Sequence, residues 1–392
     1  MRIGIDARFY GSVGKGLGRY TQKLIEGLET FDTSNEYVIF LGRENFDEYT
    51  PKHTRFKKVL TRSRWYGFSE QFFFPLLLLC YRLDLVHFPH FNVPCWYPKK
   101  FIVTIHDLIL LHYPTFRNTT KSPLLYAMKF RAYRFVIAIA IRRAQHIITV
   151  SQFTARDIGR YYPFARGKIS VTYEAADSAC SFSAPREEQS LLHRFALLQT
   201  SGNTMLEKKT RDILRPYCLY VGNAYPHKNL TALLEVAAIF PESLFVLVGK
   251  EDYFYTRLKK SAEKRGLQNV IFTGFVDDRQ LNTLYKFATC YLFPSLYEGF
   301  GLPPLEAMAR GLPVLSSCRG SLPEILGNAA RYFDPEIRGS FEDAVSVMLG
   351  SETLQREYRA LGYTQVARYS WETMAQETIV LYHKSMALAH KK

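Results

Sequence analysis

The sequence predicts an α/β protein built from two doubly wound parallel-sheet domains. Short apolar, β-branched runs alternate with longer helical stretches along most of the chain, the pattern of parallel strands buried on both faces. The alternation lapses in a polar stretch, 174–216, and restarts near 218. At 392 residues the chain also exceeds the roughly 250–300 residues at which a single core stops growing.

The elements follow in order. Residues 3–5 form the first strand, a glycine-rich turn spans Gly11 to Gly18, and 19–28 make an amphipathic helix. Residues 37–41, 83–87, 101–105, 146–150 and 169–172 are further strands, with helical stretches such as 124–143 between them. The polar stretch that follows reads as a linker plus an irregular excursion, which places a domain boundary near 175. Beyond it come strand 218–221, helix 230–239, strand 245–248 and helix 255–265, which stops at Gly266. Strand 270–273, helix 279–288, strand 290–293, helix 304–310 and strand 314–316 complete the second domain, 176–371. Residues 372–388 form a last, strongly amphipathic helix.

Composition removes several classes. A hydrophobic content of 47% is too high for a disordered chain. The first ten residues carry Arg2, Asp6 and Arg8, so they do not read as a secretory signal. No apolar run approaches the ~20 residues of a membrane span. The six cysteines are scattered, without C-x-x-C or zinc spacing, and read as reduced core residues of a cytoplasmic protein. His87 and His90 have no third metal ligand nearby, and no D-x-D cluster appears, so no metal is expected.

The net charge of +15 is concentrated: residues 51–150 hold 16 basic and 3 acidic side chains. This excess implies an anionic partner for the first domain. Arg62, Arg64, Trp65, Tyr66 and Phe68 precede an apolar run, and later cations interleave with Tyr126, Phe130, Tyr133 and Phe135. Cations beside aromatics suit the headgroup boundary of an anionic membrane. The plainer reading is core helices with solvated basic edges.

The chemistry-bearing string is Pro294-Ser-Leu-Tyr-Glu298-Gly-Phe-Gly-Leu-Pro-Pro-Leu-Glu306-Ala-Met-Ala-Arg-Gly311. A strand ends, a loop with two glycines follows, and a helix opens on Pro303 and Pro304, which suit a first turn because its N–H groups have no intrahelical partner. Gly299 and Gly301 allow the backbone close to a ligand, and the N–H groups at the helix start favour a diphosphate. Glu306, expected in the first helical turn, suits the helix dipole and a ribose diol; Glu298 points at whatever the phosphates carry. A strand–loop–helix connection with an ordinary capping glutamate is the competing reading. Gly14, Gly16 and Gly18 are spaced G-x-G-x-G, not G-x-G-x-x-G, and strand 37–41 has no acid at its tip, which argues against a dinucleotide. His106 stands at a strand's C-terminal tip, where open α/β sheets bind ligands.

This string resembles the E-x7-E signature of retaining GT-B glycosyltransferases, glycosyltransferase family 4. Gly-Lys-Gly16-Leu-Gly18-Arg-Tyr, Thr104-Ile-His106-Asp107-Leu, Val150-Ser151-Gln-Phe-Thr, Tyr220-Val-Gly222-Asn-Ala-Tyr-Pro-His-Lys228-Asn and Phe272-Thr-Gly274-Phe-Val276 are similar to further family blocks, in the family's order. The resemblance covers nearly the whole chain and implies two facing Rossmann-like domains with a cleft between them, the last helix crossing back onto the first. It implies that Glu306 holds the donor ribose and that Glu298 contacts the donor sugar. Main-chain N–H groups of Phe300, Gly301 and Leu302 would bind the diphosphate, and Lys228 would neutralise it. Val276 would bracket the base. Gly16 and Gly18 would let an N-terminal loop close over the phosphates. Gly222 and Asn223 would line the same site, and His106 would face the sugar. Asn223 departs from the arginine common after that glycine, so one cation fewer faces the diphosphate.

The resemblance leans toward bacterial mannosyltransferases of cell-surface polysaccharides. The implied reaction moves mannose from GDP-mannose to a glycan or lipid-linked acceptor, with retention, no cofactor and no metal, and Arg62, Arg64 and Trp65 on the acceptor or membrane side. A sugar-nucleotide epimerase of the same fold would need no acceptor. A nucleic-acid-binding protein would use residues 51–150 and lose affinity steeply with salt, but no recognition-helix or zinc motif supports it.

Overall fold

A computed structural model describes residues 1–114, 123–177, 184–200 and 212–387. The chain divides into two compact units, Met1–Glu174 with Tyr369–Lys392, and Ala175–Arg368.

The first unit carries a seven-stranded sheet. Its strands are β1 (Arg2–Asp6), β2 (Glu36–Leu41), β3 (Phe56–Leu60), β4 (Leu85–Phe88), β5 (Phe101–Ile105), β6 (His146–Thr149) and β7 (Ile169–Val171), in the order β3-β2-β1-β4-β5-β6-β7. Every pairing is parallel. The inner strands are buried along nearly their whole length, and Val38, Phe40, Val86, Phe88, Val103, Ile105 and Ile147 pack with helical residues into one core. The connecting helices are α1 (Lys15–Phe31), α2 (Phe68–Cys80), α3 (Ile109–His112), α4 (Pro123–Arg143) and α5 (Gln152–Tyr161). Ser151 caps α5 by accepting a hydrogen bond from the Thr154 N–H.

The glycine-rich segment corrects one expectation. Helix α1 begins at Lys15, so Gly16 and Gly18 lie in its first turn rather than in a loop. A Cβ at Gly14 would sit 2.1 Å from the Phe9 carbonyl oxygen, and one at Gly18 would sit 2.1 Å from that of Gly11. These two glycines therefore serve close approach of the helix to the loop after β1, and only Gly11, at φ +71°, needs glycine for its conformation.

The second unit opens with α6 (Pro185–Arg194) and the antiparallel pair β8 (Leu198–Thr200) and β9 (Asp212–Leu214). The stretch expected to be irregular thus contains a helix with a proline in its first turn. A six-stranded parallel sheet follows: β10 (Tyr217–Val221), β11 (Leu244–Val248), β12 (Val270–Gly274), β13 (Cys290–Phe293), β14 (Val314–Ser317) and β15 (Ala330–Phe333), ordered β12-β11-β10-β13-β14-β15. Its helices are α7 (Leu230–Ile239), α8 (Tyr253–Lys264), α9 (Asp278–Phe287), α10 (Leu302–Ala309), α11 (Leu322–Leu326), α12 (Ser340–Gly350) and α13 (Glu352–Val366).

The last helix, α14 (Trp371–Ala387), belongs to the first unit and packs on α1. A Cβ at Gly27 would lie 2.3 Å from that of Ala375, so glycine sets how closely the two helices approach. Among the described residues, no helix is long and apolar enough to cross a membrane.

Candidate functional site

In each sheet the strand order reverses beside its first strand: between β1 and β4 in the first unit, and between β10 and β13 in the second. The crevice past the carboxyl ends of such strands is where open α/β sheets take ligands. Lys228 and Glu298 lie past the ends of β10 and β13.

The segment after β10 is tightly shaped. Gly222 adopts φ +154°. The Tyr220 hydroxyl donates to the Asn223 carbonyl at 2.7 Å, and the Tyr255 hydroxyl donates to that of Gly222 at 2.8 Å. A 3-10 turn, Pro226–Lys228, is closed by Asn229 in the left-handed conformation, a residue type that tolerates it. The Leu296 N–H then donates to the His227 carbonyl at 2.7 Å, tying this segment to the one after β13.

That tie sets up the central contact. The Lys228 Nζ donates to the Glu298 carboxylate at 2.6 Å, with side chains only 12% and 9% exposed. The same ammonium lies 5.3 Å from the centre of the Phe293 ring. Burial, then the neighbouring Lys228 charge, pushes the His227 imidazole down to about 4, with Glu298 opposing, so His227 is neutral at pH 7. The Glu298 backbone is fixed as well: the Ser321 hydroxyl reaches the carbonyls of Glu298 at 3.0 Å and Phe300 at 2.8 Å. Gly320, at φ +66°, passes so close that a Cβ would stand 2.8 Å from the Glu298 nitrogen. Ser321 and Gly320 were not legible as site residues, because their role is contact with main chain some twenty residues away.

Helix α10 corrects the expectation for Glu306. The helix starts at Leu302, capped by Gly301 at φ +104°, and includes Pro303 and Pro304 in its first turn. Glu306 is therefore one turn inside the helix, half-buried, with its carbonyl accepting from Arg310 at 3.0 Å. The left-handed glycine lets the helix start at Leu302, one residue before the first proline. Two prolines also remove two of the N–H groups that a helix start normally offers. Phe300, Gly301 and Leu302 are left as the main-chain donors of the turn. Val276 is buried just past β12, next to Phe275, which is 78% exposed.

In the first unit, His106 follows β5. Its Nδ1 lies 3.0 Å from Glu174 Oε1 and its Nε2 lies 3.0 Å from the Pro89 carbonyl. Burial alone would lower its pKa; the Glu174 carboxylate and the Pro89 carbonyl outweigh burial and raise it. An acceptor at each nitrogen favours the charged form of His106. His87 instead bonds Tyr382 and Thr104, each at 2.8 Å, and burial followed by the His106 charge pushes it down to about 3.

A buried network past β1 was not anticipated. Arg8 bonds Asp6 at 2.6 Å and Glu70 at 2.5 Å, and its guanidinium stacks 4.2 Å over Phe74. Glu70 also accepts from Asn92 at 2.6 Å and from the Tyr66 N–H at 2.9 Å, holding Tyr66 at φ +55°. Arg62 and Arg64 are exposed, but Trp65 is turned inward, its ring centre 3.9 Å from that of Phe9.

Two family profiles match the chain: "Glycosyltransferase Family 4" over residues 14–179 and "Glycosyl transferases group 1" over residues 204–365. The chain belongs to this family of glycosyltransferases. O-antigen chain mannosyltransferase B of Escherichia coli is 27% identical over 94% of this chain and 95% of its own length. Among solved structures, sucrose-phosphate synthase from Thermosynechococcus elongatus superposes with a TM-score of 0.72 at 18% identity, covering 99% of this chain and 100% of that one. Anabaena HepE, solved in complex with UDP and glucose, superposes with a TM-score of 0.67 at 16% identity, covering 97% and 99%. The two parallel sheets are thus those of the GT-B fold.

Proposed function

We propose that this glycosyltransferase moves mannose from GDP-mannose to a hydroxyl of a lipid-linked glycan, with retention at the anomeric carbon and without a metal, at the cytosolic face of a membrane. The observation that carries the reading is the Lys228–Glu298 pair past the ends of β10 and β13, beside the start of α10. The mannosyl assignment draws on the name of the Escherichia coli relative, and HepE with its UDP is an example of nucleotide binding on this fold.

The bond from the anomeric carbon to the diphosphate breaks, and the acceptor oxygen bonds to that carbon from the same face. The acceptor proton passes to the departing phosphate. Charge grows on the diphosphate, where Lys228 and the N–H groups of Phe300, Gly301 and Leu302 stabilise it. Glu298 takes hydroxyls of the sugar, and Glu306 the ribose diol. Gly222, Asn223 and Val276 shape the nucleotide side. His106, held by Glu174 and the Pro89 carbonyl, faces the sugar from the first unit. The enzyme contributes positioning and charge stabilisation more than a strong base.

Calorimetric titration with GDP, UDP, ADP and dTDP tests the donor. GDP is expected to bind in the presence of EDTA, and Glu306→Ala to weaken it by about 1–3 kcal/mol. Equal affinity in that variant refutes the ribose role, preference for another nucleotide refutes the donor, and turnover without acceptor favours an epimerase.

A further inference from the structure

The first unit contains a groove of about 810 Å³ between α2 and α4. Its walls are mostly rings and aliphatic groups: Tyr66, Phe68, Phe91, Phe130, Tyr133 and Val136. That volume is in the range of a small-molecule site. The carboxylate and the carboxamides on its walls, those of Glu70, Gln71 and Asn92, already bond within the protein. Glu70 is held by Arg8, Asn92 and the Tyr66 N–H. The Gln71 amide donates to the Val93 carbonyl at 3.3 Å and accepts from the Cys95 N–H at 2.8 Å. A hydrocarbon chain placed among these rings and aliphatic groups requires no hydrogen bond from the wall.

Two further observations identify the occupant. The groove continues onto an exposed apolar face of α2, where Phe68, Phe72, Phe73 and Leu76 are 87%, 60%, 67% and 59% exposed. Phe68, Phe72 and Leu76 are spaced by four and share one side of the helix. Exposed cations flank the region: Arg62, Arg64, Lys129, Arg131 and Arg134, with Lys129 itself on the groove wall. The other end of the groove runs to Leu110, four residues past His106. The left-handed Tyr66, a strained state for a bulky residue, is held in the wall by the buried Glu70.

We propose that this groove binds the hydrocarbon chain of the acceptor's lipid anchor, with the anionic head group among the cations and the glycan toward the His106 end. The identity of the lipid as acceptor rests on the glycosyl-transfer reading above. The exposed phenylalanines of α2 enter the lipid surface, and the chain passes from there into the groove.

The probe is geranylgeranyl monophosphate, titrated by calorimetry below its micelle-forming concentration. Ala132→Trp fills the groove from an exposed position on α4, and Phe68→Ser removes an exposed wall residue, so neither disturbs the core. Displacing even two methylenes from the groove weakens binding about tenfold. Each variant is expected to lose about that much for the prenyl phosphate. Ala132→Trp should keep wild-type sedimentation with phosphatidylcholine–phosphatidylglycerol vesicles and wild-type nucleoside diphosphate affinity. Unchanged prenyl phosphate binding in Ala132→Trp overturns the proposal. So does binding that falls only in Phe72→Glu and in step with vesicle binding, which would assign the region to the bilayer surface alone. Groove-dependent binding by a protein that takes no nucleoside diphosphate would overturn the acceptor assignment and the glycosyl-transfer reading while leaving the chain site standing.

Discussion

Separating Lys228 from Glu298 should produce opposite effects on nucleotide binding and turnover, with a large effect on stability. Lys228→Met leaves the Glu298 carboxylate 9% exposed and without its cation. Removing one partner of a buried pair costs about 3–5 kcal/mol, and the residual exposure of this pair favours the lower end. Glu298→Gln keeps the volume and an acceptor oxygen for Lys228 and loses mainly the charge assistance, about 1.5–3 kcal/mol. In a unit of this size, 3 kcal/mol moves the thermal midpoint by roughly 6–12 °C. The double variant removes both charges together and should cost less than the sum by about 1–3 kcal/mol. On binding, Glu298→Gln releases the ammonium to a diphosphate, so nucleoside diphosphate affinity is expected to hold or rise while turnover collapses. Lys228→Met should lower both. The assay is thermal unfolding of all four proteins, with calorimetric GDP titration and acceptor-dependent turnover. Strictly additive stabilities, or equal loss of GDP by both single variants, would refute the reasoning.

Three further outcomes are expected. His87 is depressed to about 3 in the folded protein against an ordinary value of about 6.5, so the stability it confers is present above pH ~6.5 and is lost as pH falls toward 3, at most about 5 kcal/mol; acid titration of unfolding should show a shallower loss in His87→Gln, and an identical slope would count against it. Arg8→Met strands two buried carboxylates, Asp6 and Glu70, and should destabilise the first unit by about 3–5 kcal/mol, much of it recovered when Asp6→Asn and Glu70→Gln are added; no recovery in denaturant titration would show that the loss is packing alone. Gly320→Ala combines a left-handed backbone with a Cβ 2.8 Å from the Glu298 nitrogen, so it should lower turnover along with stability by about 1–3 kcal/mol; stability lost with normal turnover would detach Gly320 from the site.

The strands were legible wherever they are apolar throughout, because an inner parallel strand buried on both faces leaves a continuous run. The edge strand β3, Phe-Lys-Lys-Val-Leu, was not: two of its residues face solvent and two are lysines. Helix α6 escaped notice because its polar residues resemble a linker, although Leu191 and Leu192 are buried. The start of α1 was obscured by glycines whose purpose is close packing, a property of distant neighbours. The Glu298–Glu306 string could be read because its residues are contiguous. Glu70 could not be linked to Arg8, since nothing local marks two residues 62 apart as partners.

The return of α14 to the first unit has a consequence for biosynthesis. Residues 175–368 form one uninterrupted segment, so the second unit can complete its fold as soon as it leaves the ribosome. The first unit, though translated earlier, lacks the helix against Gly27 and the Tyr382 hydroxyl on His87 until residues 371–387 emerge. The first unit is thus completed only after the second has been made, and a premature stop ahead of residue 371 would damage it.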